Sequence, residues 1–246
     1  MEQIKEQNHY ELTLAGATVG CSFEFPETHL YFGNYINGPF PGEGLRLSPE
    51  DRAAWERTVA PMDAFNEYSA FTVPVSEALL KHGRCVMHAA AFRFHDRAYL
   101  IAARSGVGKS TQVKTLSELY PGEFTVISGD RPVLEATEGG VMVHPSPWNG
   151  KEGWCGAEKA PLAAMILLRR GEVNSLERFP AGRAAAPVFS SLFQSAENGE
   201  SIRRTASFAD LIIKSVPVWA FENGGVPDSS RMLYETVLKE AEEHGV

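Results

Sequence analysis

The apolar run Ala98-Tyr99-Leu100-Ile101-Ala102 leads straight into Ala103-Arg104-Ser105-Gly106-Val107-Gly108-Lys109-Ser110-Thr111, and a helical pattern follows. A strand, a glycine-rich loop and a helix in that order constrain the chain strongly. The loop must turn backbone N–H groups inward, and the helix must aim its positive end at whatever they surround. That is the geometry of a phosphate-binding P-loop. Gly106 and Gly108 supply the small residues, Lys109 a cation for the β and γ charges of a nucleoside triphosphate, and Ser110 a hydroxyl where a Mg²⁺ ligand is expected. The candidate nucleotide-binding residues are therefore Ser105, Gly106, Val107, Gly108, Lys109, Ser110 and Thr111, with ATP and Mg²⁺ as the expected cofactors. Ala103 stands where the usual pattern opens with glycine.

Composition narrows the class. The chain has 246 residues, 43% hydrophobic and 22% charged, enough to bury one substantial core or a core plus a small appendage. Its 23 Lys+Arg against 31 Asp+Glu give a formal charge of −8, and Arg169-Arg170 and Arg203-Arg204 are isolated basic pairs. Nucleic acid is thus not an expected partner, because phosphate-backbone binding rests on clustered positive charge. Cys21, Cys85 and Cys155 are odd in number and widely spaced, which fits neither a disulfide framework nor a zinc site. The polar start Met1–Gln7 and the lack of a membrane-length apolar run lead us to expect a cytoplasmic protein with no membrane partner.

Patterning divides the chain softly near residue 83, with residues 1–83 a β-rich appendage and 84–246 the nucleotide-binding core. In the appendage, Tyr10, Leu12 and Leu14, then Val19, Cys21, Phe23 and Phe25, alternate as the arms of a hairpin. Residues 34–44 read as loop, Ser48-Pro49-Glu50-Asp51 as a capped helix start, and Ser76 to His82 as a second helix ending at Gly83. In the core, Arg84 to Phe94 and Arg97 to Ala102 read as two strands around His95-Asp96, so a hairpin arm feeds the P-loop. A helix from Lys109 to Tyr120, a strand from Phe124 to Ser128, and a hairpin around Glu138-Gly139-Gly140 follow. Ala164 to Leu168 reads as a buried strand, Arg183 to Lys214 as two helices, Val216 to Phe221 as a strand and Ser229 to Glu243 as a closing helix. The expected fold is α/β with a mixed sheet.

Asp130 sits at the end of the strand that follows the P-loop helix, where a carboxylate can approach both Mg²⁺ and a substrate hydroxyl. The structural alternative is a turn carboxylate bonded to its own backbone, with Arg131 as a surface partner. Pro147-Trp148-Asn149-Gly150-Lys151-Glu152 invites two readings as well. Lys151 can reach a ligand past glycine while Trp148 packs flat against a base, a ring or the protein's own core, or the segment is a polar surface loop pinned by a buried Trp148. Arg169 and Arg170 end a strand, and either a phosphate contact or an exposed pair is open to them.

Met87-His88-Ala89-Ala90-Ala91, Ser105-Gly106-Val107-Gly108-Lys109-Ser110 and Gly129-Asp130-Arg131, in that order, resemble the HPr kinase/phosphorylase family, whose P-loop core is shared with ATP-dependent phosphoenolpyruvate carboxykinase. The resemblance spans about residues 84 to 170. It implies a core of that type, with Lys109 on phosphate, Ser110 and Asp130 on Mg²⁺, Asp130 as the base and His88 bordering the active site; for His88 alone, a strand histidine satisfied by a backbone carbonyl weighs equally. It also favours a homo-oligomer. The shorter HPr-kinase-like proteins, which carry a Pro-Trp-x-Gly-Lys-Glu segment after the core strands, are the nearer resemblance. Two carboxylates of the family pattern are replaced, by Gly129 and Thr111, and neither the family's N-terminal domain nor its C-terminal signature is recognisable. Kinase chemistry is favoured over phosphorolysis.

The expected activity is therefore transfer of the γ-phosphoryl group of ATP to a hydroxyl on a protein, peptide or small alcohol, with Asp130, His88 and Lys151 as the catalytic set. A non-catalytic nucleotide sensor is the main rival, since the missing aspartate could leave binding without turnover. A carboxykinase-like lyase ranks third, and with no Asn/Thr-Lys-x-Asp motif a GTPase switch ranks last.

Overall fold

The structure is a computed structural model and describes residues 8–194 and 199–239. Its first strands, β1 (His9–Leu14) and β2 (Ala17–Ser22), form the hairpin that the alternation predicts, from His9 opposite Ser22 to Leu14 opposite Ala17. After α1 (Thr28–Phe32), β3 (Ile36–Pro39) returns to pair antiparallel with β1. This corrects the reading of 34–44 as loop throughout: the free edge of β1 needs backbone partners, and even a Gly/Pro-rich stretch supplies them over a short span.

Helix α2 (Pro49–Thr58) begins as its sequence predicts, with Ser48 Oγ accepting the Asp51 N–H at 3.0 Å and Pro49 in the first turn. Helix α3 (Ala64–Ala70) was not foreseen, and α4 (Thr72–Leu80) starts upstream of Ser76. Pro74 disguised that start, because it reads as a breaker yet lies in the first turn, where its missing N–H has no helical partner to lose.

The remaining elements are β4 (Arg84–Val86), β5 (Ala89–Phe94), β6 (Arg97–Ala102), α5 (Lys109–Leu119), β7 (Phe124–Ser128), β8 (Val133–Thr137), β9 (Gly140–His144), β10 (Ala160–Arg170), β11 (Ser175–Arg178), α6 (Ala181–Ser190), α7 (Gly199–Ser215), β12 (Val218–Asn223) and α8 (Asp228–Leu233). Their strands form a curled mixed sheet in the order β4-β8-β9-β10-β6-β5-β7, with β12 on β10 and β11 on β12. The junction is β10: its first residues pair with β9, and the rest runs parallel to both β6 and β12. Buried on both faces, it reads as an unbroken apolar run, as central parallel strands do.

One sheet face, carrying Leu100, Met165 and Val218, packs under α6 and α7 through Val188, Phe208 and Ile212. The other, carrying Ile101, Ile166 and Phe221, packs under α5 and α8 through Val113, Leu116 and Leu233. A third core joins the small antiparallel sheet (Leu12, Leu14, Cys21) and α3–α4 (Tyr68, Phe71, Leu79) to Val86, Val133 and Trp148.

The sequence joined Arg84 to Phe94 in one strand, but the chain leaves the sheet at Met87-His88 and re-enters it elsewhere, so β4 pairs with β8 and β5 with β6 and β7. Strand β11 was unforeseen. The closing helix runs through α8 and continues as a wider π-type turn over Tyr234–Leu238, and its expected end at 240–243 lies outside the described residues. Cys21, Cys85 and Cys155 carry free thiols. No helix among the described residues is long and apolar enough to cross a membrane.

Candidate functional site

The site is a row of strand ends. Ala102, the last residue of β6, lies opposite Ala89, the first of β5, and Ala91 lies opposite Ser128, the last of β7. The 103–108 loop, His88 and Gly129-Asp130 therefore leave the sheet along one edge. The break before β5 creates the middle position: the Met87, His88 and Ala89 N–H groups donate to Pro132, Ser191 and Asp130 carbonyls at 3.1, 2.7 and 2.9 Å. His88 is thus held by its backbone between the loop and the carboxylate.

The loop itself is built by Gly106 and Gly108, with φ of +76° and +118°, a backbone region that side-chain-bearing residues rarely adopt. Gly108 is the N-cap of α5, and no side chain caps that helix. The N–H groups of its first turn, from Lys109 through Ser110 to Thr111, are left to a ligand or water. Ser105 and Gly106 are exposed, whereas Val107 is half-buried. Ala103 and Val107 both pack against the α5-side core, which gives the methyl of Ala103 a use where the usual pattern has glycine.

Lys109 is buried, and its ammonium turns back across the loop. Nζ donates to the Ala103 carbonyl at 3.4 Å, lies 2.8 Å from His88 Nε2 and is 3.8 Å from Asp130 Oδ1. Oδ1 is also 3.3 Å from His88 Nε2, while Oδ2 accepts from Arg131 Nε at 3.1 Å. One ring nitrogen cannot accept from Lys109 and donate to Asp130 at once: neutral there it accepts, protonated it donates. Which of the two contacts that nitrogen makes therefore depends on the ring's tautomer.

Burial would raise the Asp130 carboxyl, but the His88 hydrogen bond and the Arg131, His88 and Lys109 charges outweigh it and hold the group below its ordinary value. Burial lowers the Lys109 ammonium, with Arg131 adding to that and Asp130 and Glu152 opposing it. A partly desolvated cation at the mouth of an uncapped helix is a strong attractor for an anion.

Arg131 is no surface partner. Besides Asp130 it donates to the Ser69 carbonyl at 3.0 Å and Thr72 Oγ1 at 2.6 Å, and it lies over the Phe193 ring. Its anchors come from α3–α4 and the stretch after α6, distant segments that no local spacing announces. Arg169 and Arg170 separate as β-strand neighbours must: Arg169 pairs with Glu222 at 2.6 Å, and Arg170 donates to the Gly106 carbonyl at 2.6 Å.

Trp148 is only 2% exposed, donates from Nε1 to the Tyr68 carbonyl at 2.9 Å and packs among Phe32 and Tyr68. Of the partners open to it in the sequence, Trp148 takes the protein's own core, which leaves no face for a base. The pin nevertheless sets the following residues over the site. Ser128, Gly129 and Asp130 are roofed by 149–155: the Gly129 N–H donates to the Trp154 carbonyl at 2.9 Å, and a Cβ on Gly150 would lie 3.0 Å from Asp130 Cβ. Lys151 is exposed on this roof, outside the Lys109–His88–Asp130 cluster.

The same roof accounts for Gly129. A Cβ there would fall 2.5 Å from the Asn149 carbonyl oxygen, so a second aspartate beside Asp130 has no room. We expect Gly129→Asp to lower stability by about 1–3 kcal/mol, the usual cost of overpacking, without adding activity; denaturant unfolding measures it.

Comparison with known proteins adds little. No family model matches the chain, and no curated protein matches it. A solved structure of the HPr(Ser) kinase/phosphatase from Coxiella burnetii is similar over 65% of this chain and 97% of that one, at 10% identity and a TM-score of 0.35. A similarity that low assigns neither an activity nor a residue role.

Proposed function

We propose that this chain is an ATP- and Mg²⁺-dependent phosphotransferase that moves the γ-phosphoryl group to a hydroxyl on a protein, peptide or small alcohol. The observation that carries the reading is the approach of Asp130 to within 3.8 Å of Lys109, the buried cation at the uncapped start of α5. A phosphate-binding group and a candidate base then share one site.

The residues fit the cofactors. The α5 N–H groups and Lys109 suit the phosphates, and Gly106 leaves open space where a Cβ would stand. Among the described residues no group of three or more His, Cys, Asp or Glu side chains could hold a metal alone. A cation sharing one or two protein oxygens with phosphate is the usual Mg²⁺ arrangement, and Ser110 and Asp130 are the residues that would hold it. When bound, Mg²⁺ would neutralise phosphate charge.

In the transfer step the acceptor oxygen forms a bond to Pγ, the bond from Pγ to the β–γ bridging oxygen breaks, and ADP leaves. Asp130 takes the hydroxyl proton, Lys109 and the helix start stabilise charge on the transferring group, and His88 and Arg131 fix the carboxylate.

A nucleotide-binding sensor is the second reading, favoured by one fact: both Asp130 oxygens already have protein partners. The deciding experiment is a screen of γ-labelled ATP against hydroxyl-bearing metabolites, peptides and cell extract. A labelled product that vanishes in Asp130→Asn supports the transferase. Tight ATP binding with no Asp130-dependent product supports the sensor. Lys151→Ala extends the test: it should weaken acceptor use about tenfold while ATP affinity changes less than about twofold, because Lys109 and the loop amides already serve the phosphates. Equal loss of both would remove Lys151 from the acceptor side.

A further inference from the structure

The strand ends on the other flank of the glycine loop form a wall that the transfer chemistry leaves unused. Arg170 and Asn223 stand opposite each other as the last residues of the parallel pair β10 and β12. Arg170 reaches the Gly106 carbonyl. The Asn223 amide nitrogen lies 3.9 Å from where a Cβ on Gly108 would be, while its oxygen accepts the Gly225 N–H at 3.0 Å. That bond turns the NH₂ group toward the loop and leaves it as a donor there.

The two connections beyond these residues are knit together. The Gly171 N–H donates to the Asn223 carbonyl at 3.1 Å, and the Gly224 N–H to Asn174 Oδ1 at 2.8 Å. Each loop then presents an exposed valine, Val173 at 65% and Val226 at 40% exposure. The second loop is also tied to the P-loop helix. Gln112 of α5 donates from Nε2 to Ser229 Oγ at 2.9 Å and accepts from Ser230 Oγ at 2.6 Å, and all three residues are fully buried. A satisfied buried polar network of this kind holds its members in one arrangement. Two exposed valines thereby stand on loops next to the start of α5, outside the carboxyl ends of parallel strands, where open α/β sheets bind ligands.

We propose that this wall is the nucleoside subsite: Val173 and Val226 contact the base, and the Asn223 amide donates to a ribose or α-phosphate oxygen. The proposal rests on the phosphate-site reading above. It orients the nucleotide, because the phosphates would run from β12 and β10 across β6 toward Asp130.

The test compares Mg²⁺·ATP with Mg²⁺·tripolyphosphate, which lacks the nucleoside, by calorimetry on the full chain. Wild type should bind ATP at least about tenfold more tightly, the size of modest apolar burial. The neutral double substitution Val173→Asn with Val226→Asn should erase that preference while tripolyphosphate affinity stays within about twofold. Equal binding of the two ligands by wild type, or a preference that survives the substitution, overturns the subsite but not the phosphate site. Binding of neither ligand overturns both. A readout free of substitutions is photolabelling of wild type with 2-azido-ATP: attachment within residues 171–174 or 223–227 supports the subsite, and attachment confined elsewhere rejects it.

Discussion

Asp130→Asn should cut phosphoryl transfer by at least about a hundredfold while leaving Mg²⁺·ATP affinity within a few-fold of wild type, in keeping with the usual contribution of a general base. The substitution keeps the side-chain shape and removes the carboxylate charge, and with it the proton acceptor, while Lys109, Ser110 and the loop amides remain for Mg²⁺·ATP. Arg131 remains anchored by the Ser69 carbonyl, Thr72 Oγ1 and the Phe193 ring, so its guanidinium is not released into the site. Initial rates with an acceptor identified by the labelled-ATP screen, beside calorimetry on the same preparation, separate chemistry from binding. Unchanged turnover would remove Asp130 from the reaction, and joint loss of binding and turnover would make it a ligand-holding group instead.

Lys109→Ala should weaken Mg²⁺·ATP binding by about a hundredfold or more, since charge-assisted hydrogen bonds contribute about 1.5–3 kcal/mol each and this ammonium is placed for two phosphates. The fold should survive. Burial already disfavours the charged form of Lys109, so its removal relieves a cost while Arg131 still pairs with Asp130. A melting temperature close to wild type together with lost calorimetric heat is the expected pair of results. Wild-type affinity in the variant would end the P-loop assignment.

What the sequence disclosed depended on how local the cause was. The 103–111 loop and the strand ending at Ser128 were legible because Gly106, Gly108 and the apolar alternation act over a few neighbours. Asp130 followed from its place after that strand. The break at Met87-His88 was not legible, because the partners that draw the chain out of the sheet, Pro132, Ser191 and Asp130, are supplied by remote loops. The anchoring of Arg131 was not legible for the same reason. Trp148 had two readings that composition could not separate, and the decision came from the aromatic core contributed by α1 and α3. Gly129 looked like a lost carboxylate, yet the Asn149 carbonyl above it leaves no space for one. The wall proposed for a nucleoside had only the Arg169-Arg170 pair to hint at it, since Val173 and Val226 resemble any exposed valines until β10 and β12 are seen to lie side by side.

The strand order β6-β5-β7 makes the sheet a ruler for this site. Strands β6 and β7, which lead into the 103–108 loop before Lys109 and into Gly129-Asp130, lie two places apart, about 9–10 Å by interstrand spacing, and the two side chains meet at 3.8 Å. His88, entering β5 from the same edge, occupies the midpoint. The Lys109 ammonium and the Asp130 carboxylate already stand 3.8 Å apart, so no hinge is required to bring the two together. Shortening or lengthening that reach calls for a different side chain at the start of α5 or after β7, not a different fold.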